Sequence, residues 1–216
     1  MITINFLHGR PAVGKDTQAD LLTQKIPSSI KISGVYRSAF TQEGPYAKYY
    51  HLVAPYIKPL GQGIDIPGLA VSKILKDIVE NKTAEGTSTF IVCGLLRTVD
   101  HKKAIDMWLA NESKGIKSVH IYLTTTEGRA LDHAHTRRSN YSPSGLQRPD
   151  DTDELMATRL LRYKQNTLPM LKQLHDEGRL SIIRADRSIM EVCADLQQSL
   201  GLIKSGFETM VVTSKL

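Results

Sequence analysis

The sequence predicts an α/β protein with a five-stranded parallel sheet and flanking helices, interrupted by two insertions. Three observations predict this fold. Short β-rich segments alternate along the chain with segments in which apolar residues recur at helical spacing. The first β-rich segment runs directly into a turn that contains glycine and lysine, and the third, at 90–93, is apolar throughout. A strand without polar alternation is typical of a parallel sheet covered on both faces, with right-handed crossovers between strands.

The elements follow one another in a regular order. The expected strands cover residues 2–7, 30–33, 88–93, 118–124 and 180–184. The expected helices cover residues 18–26, 68–80, 99–111, 127–138, 150–177 and 189–200. Acidic residues open the helix at 150, where their negative charge interacts favourably with the positive end of the helix dipole. Pro169 is expected to kink this helix.

Two stretches break this order and predict the domain organisation. Residues 35–87 hold a tyrosine-rich segment, a loop with prolines and glycines, and a helix, which indicates an inserted small domain. Residues 138–150 are mostly turn-forming residues bounded by arginines, which predicts a mobile surface loop. The core domain then comprises residues 1–34, 88–137 and 151–200, followed by an unassigned tail at 201–216.

The composition favours a soluble globular protein with an anionic partner. The chain has 216 residues, 41% hydrophobic and 23% charged. Its net charge of +6 suits nucleotides and nucleic acids alike. Cys93 and Cys193 lie far apart, which argues against a disulfide framework or a cysteine zinc site. Because neither a signal-peptide pattern nor a run of about 18 apolar residues occurs, we expect a cytoplasmic protein without a membrane partner.

The stretch from Gly9 to Thr17 has the form of a phosphate-binding loop. Its glycines allow a tight turn with inward N–H groups, and the following helix adds a partial positive charge. Lys15 can reach the terminal phosphates of a nucleotide. Asp16 stands between this lysine and Thr17, where the usual pattern has the hydroxyl residue at once. The alternative is an ordinary strand–turn–helix corner.

Basic residues follow the strands at the same edge of the predicted sheet. Lys15 follows the first strand, Arg37 the second and Arg97 the third. Further arginines flank the surface loop, namely Arg137, Arg148 and Arg159. Each alone is typical of a solvated surface arginine. Their convergence at the carboxyl edge favours phosphoryl transfer, which needs neutralisation of charge more than it needs an acid or base.

Several motifs resemble those of adenylate kinases and related nucleoside monophosphate kinases. Residues 8–18 resemble the Gly-x-Pro-Gly-x-Gly-Lys-Gly-Thr-Gln loop of that family. Ser33-Gly34 with Arg37 resembles the Ser-Thr-Gly-Asp-x-x-Arg segment that holds the acceptor nucleotide, one residue shorter. Residues 63–67 resemble the Gly-x-Leu-Val-Pro turn that lines the acceptor base.

The resemblance continues in the second half of the chain and covers about residues 1–200. Residues 93–98 resemble Asp-Gly-Phe-Pro-Arg-Thr, whose arginine binds the acceptor phosphate. Residues 148–151, with Arg159 downstream, resemble the Arg-x-Asp-Asp and arginine that clamp the transferring phosphoryl group. Residues 166–169 match the next signature of the family.

The resemblance implies a P-loop kinase that uses ATP and Mg²⁺, with an acceptor-binding domain at 35–87 and a short lid at 138–150. The implied catalytic residues are Lys15, Arg97, Arg137, Arg148 and Arg159. The implied ATP-binding residues are Ala12, Val13, Gly14, Lys15, Asp16, Thr17, Arg137 and Arg187. The implied acceptor-binding residues are Ser33, Gly34, Arg37, Ile64, Asp65, Ile66, Gly94, Arg97, His101, Arg148 and Arg159. The lid lacks cysteines, so no structural zinc is expected.

Departures from the family pattern bear on the metal and on the acceptor base. Cys93 replaces an aspartate that orients the hydration shell of Mg²⁺, and a thiol is a poor partner for this hard ion. Asp16, beside Thr17, replaces a glycine and is a candidate substitute ligand. His133 replaces an arginine, and His101 replaces the glutamine that reads adenine.

Three functions are compatible with these patterns. The first is transfer of a phosphoryl group from ATP to a nucleoside monophosphate, with AMP as the leading acceptor. The second is a degenerate homologue that holds nucleotide but turns over slowly because of Cys93. The third is nucleic-acid binding by the basic surface, which the lack of interleaved aromatic and basic residues disfavours. We expect a monomer, as is usual in the family.

Overall fold

The computed structural model describes residues 1–56, 65–112, 115–139 and 152–202, with the backbone alone at 137–139. The strands are β1 (Ile2–His8), β2 (Ser29–Ile32), β3 (Thr89–Cys93), β4 (Ile116–Thr124) and β5 (Leu180–Arg184). The helices are α1 (Lys15–Lys25), α2 (Val35–Thr41), α3 (Tyr50–Val53), α4 (Gly68–Ala84), α5 (Val99–Ala110), α6 (Glu127–Ser139), α7 (Asp153–Arg162), α8 (Leu168–Asp176) and α9 (Ile189–Ser199). Short 3₁₀ turns lie at Ala47–Tyr49 and Ala54–Tyr56.

The five strands form one parallel sheet in the order β2-β3-β1-β4-β5, which confirms the predicted fold class. β1 is central, and its Phe6 lies opposite Val92 of β3 and His120 of β4. Because all strands run the same way, the loops that follow β1 and β3 emerge side by side at the carboxyl edge. Ligands of open α/β sheets bind at this edge.

The central strand is buried on both faces by alternate side chains. Ile4 and Phe6 belong to an apolar cluster that includes buried residues of α4 and α8. Leu7 points to the opposite face and joins a second cluster with α1 and α9. The same two layers cover β3, where Phe90 and Val92 join the first cluster and Ile91 and Cys93 the second, and they explain why residues 90–93 are apolar throughout. They also hold β1, and the loop that follows it, in a fixed position.

Helix α4 belongs to the core layer. Its residues Val71, Ile74 and Leu75 are fully buried in the same apolar cluster as Phe90 of β3. The sequence analysis assigns this helix to the inserted domain at 35–87. We propose a shorter inserted unit, residues 35–67, because α4 packs against α5 of the core domain and shares its apolar cluster with Phe90 of β3.

The long helix expected at 150–177 is interrupted. A π turn at Tyr163–Thr167 separates α7 from α8, and Pro169 occupies the first turn of α8. Proline has no N–H for the preceding turn and its ring clashes with the carbonyl four residues earlier, so a regular helix cannot run through it. The π turn lies just before Pro169, and the kink expected at this proline stays a prediction.

Some predicted features fall outside the described residues. These are the lid loop beyond Ser139 up to 151, the tail beyond Leu202, and the loop at 57–64. Among the helices that the structure describes, none has both the length and the apolar character needed to cross a bilayer.

Candidate active site

The loop after β1 packs closely against the neighbouring strand. Gly9 has φ of +148°, and a Cβ atom there would lie 2.7 Å from the carbonyl oxygen of Leu123 and 2.8 Å from Cγ1 of Val13. Any larger residue would therefore displace the loop from the sheet. The loop leads into α1 at Lys15, and the first N–H groups of this helix have no intrahelical acceptor. The result is an anion-binding helix terminus.

Lys15 is held by the loop that precedes it. Its Nζ donates to the carbonyl oxygens of Gly9 and Arg10, each at 2.8 Å. These are neutral acceptors, and a phosphate oxygen is a stronger, charged one. The ammonium is thus kept beside the loop, where a nucleotide phosphate can replace the carbonyl contacts.

A cleft of about 720 Å³ brings together residues predicted to bind the donor and the acceptor. The predicted residues on its wall are Ala12, Val13, Gly14, Lys15, Asp16, Thr17, Asp65, Gly94, Arg97, Arg159 and Arg187. Residues of α6, α7 and the π turn complete the wall, among them His133 and Tyr163. The phosphate-binding loop and three of the predicted arginines therefore face one space.

Arg97 is fixed by contacts on two sides of its guanidinium group. Its Nε donates to the carbonyl oxygen of Gly94 at 2.7 Å, and the guanidinium carbon lies 4.7 Å from the centre of the Tyr36 ring. The Tyr36 hydroxyl donates to the carbonyl oxygen of Leu95 at 2.7 Å, which holds the ring in place. Burial raises the pKa of Tyr36, so this hydroxyl stays neutral. Arg97 is therefore oriented before any anion binds.

The prediction that His101 contacts the acceptor base needs correction. The residue is 0% exposed, and both ring nitrogens are engaged with backbone groups. The N–H of Arg97 donates to Nδ1 at 3.2 Å, and Nε2 donates to the carbonyl oxygen of Ile66 at 2.6 Å. A backbone N–H can only donate and a carbonyl can only accept, so the ring must be the neutral Nε2–H tautomer. Burial lowers the pKa of His101, which favours this neutral form.

Cys93 does not offer a metal ligand. Its thiol donates to the carbonyl oxygen of Lys15 at 3.7 Å, and burial raises its pKa to about 12. The negative charge of Asp16 also raises the pKa of Cys93, so the Asp16 carboxylate lies close enough to this thiol to influence its protonation. Within the described part of the chain, no group of three histidine, cysteine or acidic side chains could hold a metal ion.

Asp16 and Thr17 are the side chains that fit Mg²⁺ at this site. Both lie in the first turn of α1 and line the cleft, and both present oxygen atoms, which this ion prefers. Two oxygen side chains are enough, because Mg²⁺ commonly keeps several waters and takes further ligands from substrate phosphates.

The remaining arginines differ in their surroundings. Arg159 reaches the cleft from α7. Arg187 follows β5, where its Nη2 donates to the Asp195 carboxylate and to the carbonyl oxygen of Arg184. Of Arg137 the structure describes only the backbone, in α6, and Arg148 lies outside the described residues.

Four of the other predicted acceptor-binding residues are not on the wall of this cleft, namely Ser33, Gly34, Arg37 and Ile66. Ser33 follows β2, Gly34 precedes the first turn of α2, and Arg37 is exposed on that helix. Ile66 is buried, and Ile64 lies outside the described residues.

Sequence reasoning did not assign a role to Tyr36 or to Asn166. Tyr36 underlies Arg97, and the Nδ2 of Asn166 donates to the Asp65 carboxylate at 2.7 Å. Both partners are distant in the chain, so no local spacing reveals these contacts. Two signals were available: Tyr36 directly precedes Arg37 within the segment that resembles the acceptor site, and Asn166 opens the motif at 166–169.

Known proteins of similar sequence are adenylate kinases. The chain is 28% identical over 199 residues to the adenylate kinase of Brucella melitensis biotype 1, an alignment that covers 90% of this chain and 96% of the relative. It is 25% identical over 225 residues to the adenylate kinase of Gloeobacter violaceus, with 90% and 97% covered. The adenylate kinase of Brucella ovis is 28% identical over 199 residues, with 90% and 96% covered. No family model matches the chain.

Proposed function

Because the sequence is similar to adenylate kinases over 90% of the chain, we propose that it belongs to this family and transfers the γ-phosphoryl group of ATP to a nucleoside monophosphate. AMP is the leading acceptor, and the products are ADP and a nucleoside diphosphate. The observation that carries this proposal is the single cleft lined by Lys15, Arg97 and Arg159. A site built for one nucleotide alone would not need a second set of fixed cations facing its phosphates.

On the donor side, the loop at 9–17 holds the β- and γ-phosphates of ATP. The N–H groups at the start of α1 donate to phosphate oxygens, and the Lys15 ammonium moves from the loop carbonyls to those oxygens. Arg187, beside β5, lines the same cleft and is the further residue that we assign to ATP.

On the acceptor side, Arg97 binds the phosphate of the nucleoside monophosphate through its terminal nitrogens. Its Nε and its guanidinium face are already used by Gly94 and Tyr36. Arg159 contacts the phosphoryl group as it moves between the two nucleotides, where negative charge must be stabilised.

Mg²⁺ would be held by Asp16 and Thr17 together with ATP oxygens and water. When bound, it neutralises charge on the β- and γ-phosphates and orients them for transfer. Cys93 contributes to this region through its contact with the Lys15 carbonyl and not as a ligand.

A second candidate function follows from Cys93. A buried neutral thiol stands where the family has an aspartate that organises water around the metal. If Asp16 does not compensate, the chain would bind ATP and turn it over slowly. The described arginines face a cleft of nucleotide size, which disfavours a nucleic-acid partner. We propose a cytoplasmic monomer.

A coupled assay of ADP release with AMP, GMP, CMP and UMP tests the proposal. We expect steady turnover with AMP, and loss of about 10²–10³-fold in kcat for Lys15→Ala, because this cation stabilises transition-state charge. Lys25→Ala is the matched control, since Lys25 is an exposed lysine at the other end of the same helix. Tight ATP binding without turnover would select the second candidate. Normal turnover by Lys15→Ala would overturn the assignment of the phosphate-binding loop.

A further inference from the structure

Segment Asp65–Gly68 is joined to the start of α5 by two hydrogen bonds and a close approach of the backbones. His101 Nε2 donates to the carbonyl oxygen of Ile66 at 2.6 Å. The N–H of Gly68 donates to the Asp100 carboxylate at 2.5 Å. A Cβ atom at Gly68 would collide with the backbone carbonyl of Asp100, so only glycine allows α4 to approach α5 this closely.

The same histidine also holds the backbone of Arg97. Its Nδ1 accepts from the N–H of Arg97 at 3.2 Å, so one ring bridges this arginine to Ile66. Asp65, the residue before Ile66, faces the cleft together with Arg97. The ring therefore sets the separation between two parts of the cleft wall without touching the cleft itself.

This bridge requires a neutral ring. A second proton would sit on Nδ1 and face the N–H of Arg97, so two donors would oppose each other. The charged groups that act on the ring are the carboxylates of Asp65 and Asp100, which favour its protonation, and the Arg97 guanidinium, which opposes it. Burial is the largest influence on the ring and lowers its pKa.

We propose that His101 is a positioning residue for the acceptor nucleotide: one neutral ring holds the Arg97 backbone and the Ile66 carbonyl together. The inference rests on the proposed function, in which Arg97 binds the acceptor phosphate. It assigns to position 101 a role behind the cleft wall in place of contact with the acceptor base. Loss of the bridge lets Arg97 and Asp65 move apart, which weakens acceptor binding and leaves ATP binding intact.

Two substitutions distinguish the effect of the two His101 hydrogen bonds from the effect of burying a side chain at this position. His101→Leu removes both hydrogen bonds, and His101→Gln keeps an acceptor and a donor on a side chain that does not titrate. We expect the leucine variant to raise the acceptor KM about 10-fold, from the loss of two hydrogen bonds. Its KM for ATP should change less than about twofold, and the glutamine variant should recover most of the loss. Ile105→Val, a buried change in the same helix, is the control for reduced stability.

The pH dependence provides a second readout. Because burial lowers the pKa of His101, we expect the acceptor KM of the unmodified chain to rise only at pH values below the ordinary histidine pKa of about 6.5. The acceptor phosphate titrates near pH 6 as well. The acceptor KM of the unmodified chain is therefore divided by that of His101→Gln at each pH, which cancels the titration of the phosphate. We expect this ratio to rise as the pH falls.

AMP binding is measured by calorimetry in addition to the turnover assay. The role of His101 and the proposed function are therefore tested by separate measurements. Absence of turnover with all four monophosphates would refute the kinase proposal alone. The inference is supported if His101→Leu weakens AMP binding about 10-fold while ATP binding persists. It is overturned if the folded leucine variant binds AMP normally, or if both variants lose AMP and ATP binding equally.

Discussion

The two sides of the cleft hold their cations in different ways. On the donor side, the Lys15 ammonium rests on the carbonyl oxygens of Gly9 and Arg10, its own loop. On the acceptor side, Arg97 is fixed by Gly94, by the Tyr36 ring and, through its backbone, by His101. The contacts of Lys15 use the atoms that would bind phosphate, whereas those of Arg97 involve its Nε, its face and its backbone.

This difference indicates how binding energy is used on each side. In the proposed function, ATP would displace two carbonyl contacts from Lys15, and Mg²⁺ would bind protein oxygens on α1. The proposed acceptor would bind an arginine that is already oriented, so less conformational entropy would be lost. Changes to Arg97 should therefore affect acceptor binding, and changes near Lys15 should affect the metal and the chemical step.

The largest expected effect separates Arg97 from Arg159. Arg97→Ala should raise the acceptor KM about 100-fold, because charge-assisted bonds to a phosphate are lost. Arg159→Ala should lower kcat about 10²–10³-fold with a smaller change in KM, because its contact strengthens in the transition state. Full kinetics with both substrates varied measure the split. If both variants changed only the KM for ATP, these two roles would be wrong.

A smaller effect is expected at the metal. Asp16→Gly should lower kcat about 10-fold if this carboxylate replaces the missing aspartate, and Cys93→Asp in the same chain should restore most of the loss. Titration of turnover with Mg²⁺ for the two single variants and the double variant measures the coupling. Because the Asp16 charge already acts on the Cys93 thiol, the effects should be non-additive. Additive effects, or a faster Asp16→Gly enzyme, would show that Asp16 does not compensate.

Stability should depend on pH through a buried histidine pair in the central strands. His8 Nε2 and His120 Nδ1 lie 3.1 Å apart, and burial lowers the pKa of both, that of His120 to about 4. The unfolded chain gains these protons near pH 6.5, and the folded chain only at much lower pH. Stability is therefore lost as the pH falls below about 6.5, by about 2 kcal/mol for His120 alone between pH 7 and 5.

Urea unfolding at pH 7, 6 and 5 measures this loss. His120→Gln removes one titrating group, so its stability should fall less with decreasing pH than that of the unmodified chain. His51→Gln alters an exposed histidine and should leave the pH dependence unchanged. An equal slope in all three proteins would contradict the assignment.

The smallest expected effect concerns the choice of acceptor. Both nitrogens of His101 are engaged with backbone groups, so this side chain adds no discrimination between bases. Rejection of a wrong base by about 10⁴-fold needs buried polar groups that this base leaves unpaired. We expect kcat/KM for at least one nucleoside monophosphate other than AMP to lie within about 10⁴-fold of the value for AMP. A profile confined to AMP would assign the selection to other groups of the acceptor site.

The fold was predictable because its signals are local. Apolar strands, helical periodicity and the loop after β1 give the five-stranded parallel sheet, and the structure confirms it. The inserted domain at 35–87 stays a prediction, because an amphipathic helix such as α4 has the same pattern in an insertion as in a core layer. The packing of α4 against α5, on which the shorter unit is proposed, is visible only in the structure.

Part of the candidate site was predictable for the same reason. The loop at 9–17 and Arg97 are identified by short motifs at strand ends, and the structure places them in one cleft. The support of Arg97 by Tyr36 comes from a residue distant in the chain, and local spacing does not reveal it. His101 was misassigned because a residue's position in a motif does not specify whether its side chain faces the ligand or the backbone.

The transfer of a labelled phosphoryl group tests the central proposal most directly. ATP carrying a labelled γ-phosphate is mixed with AMP, Mg²⁺ and the unmodified chain, and the products are separated in a single turnover. We predict that the label appears in ADP formed from AMP, and that Lys15→Ala forms almost none. Label released only as inorganic phosphate, or retained in ATP while both nucleotides bind, would contradict phosphoryl transfer between the two sides of the cleft.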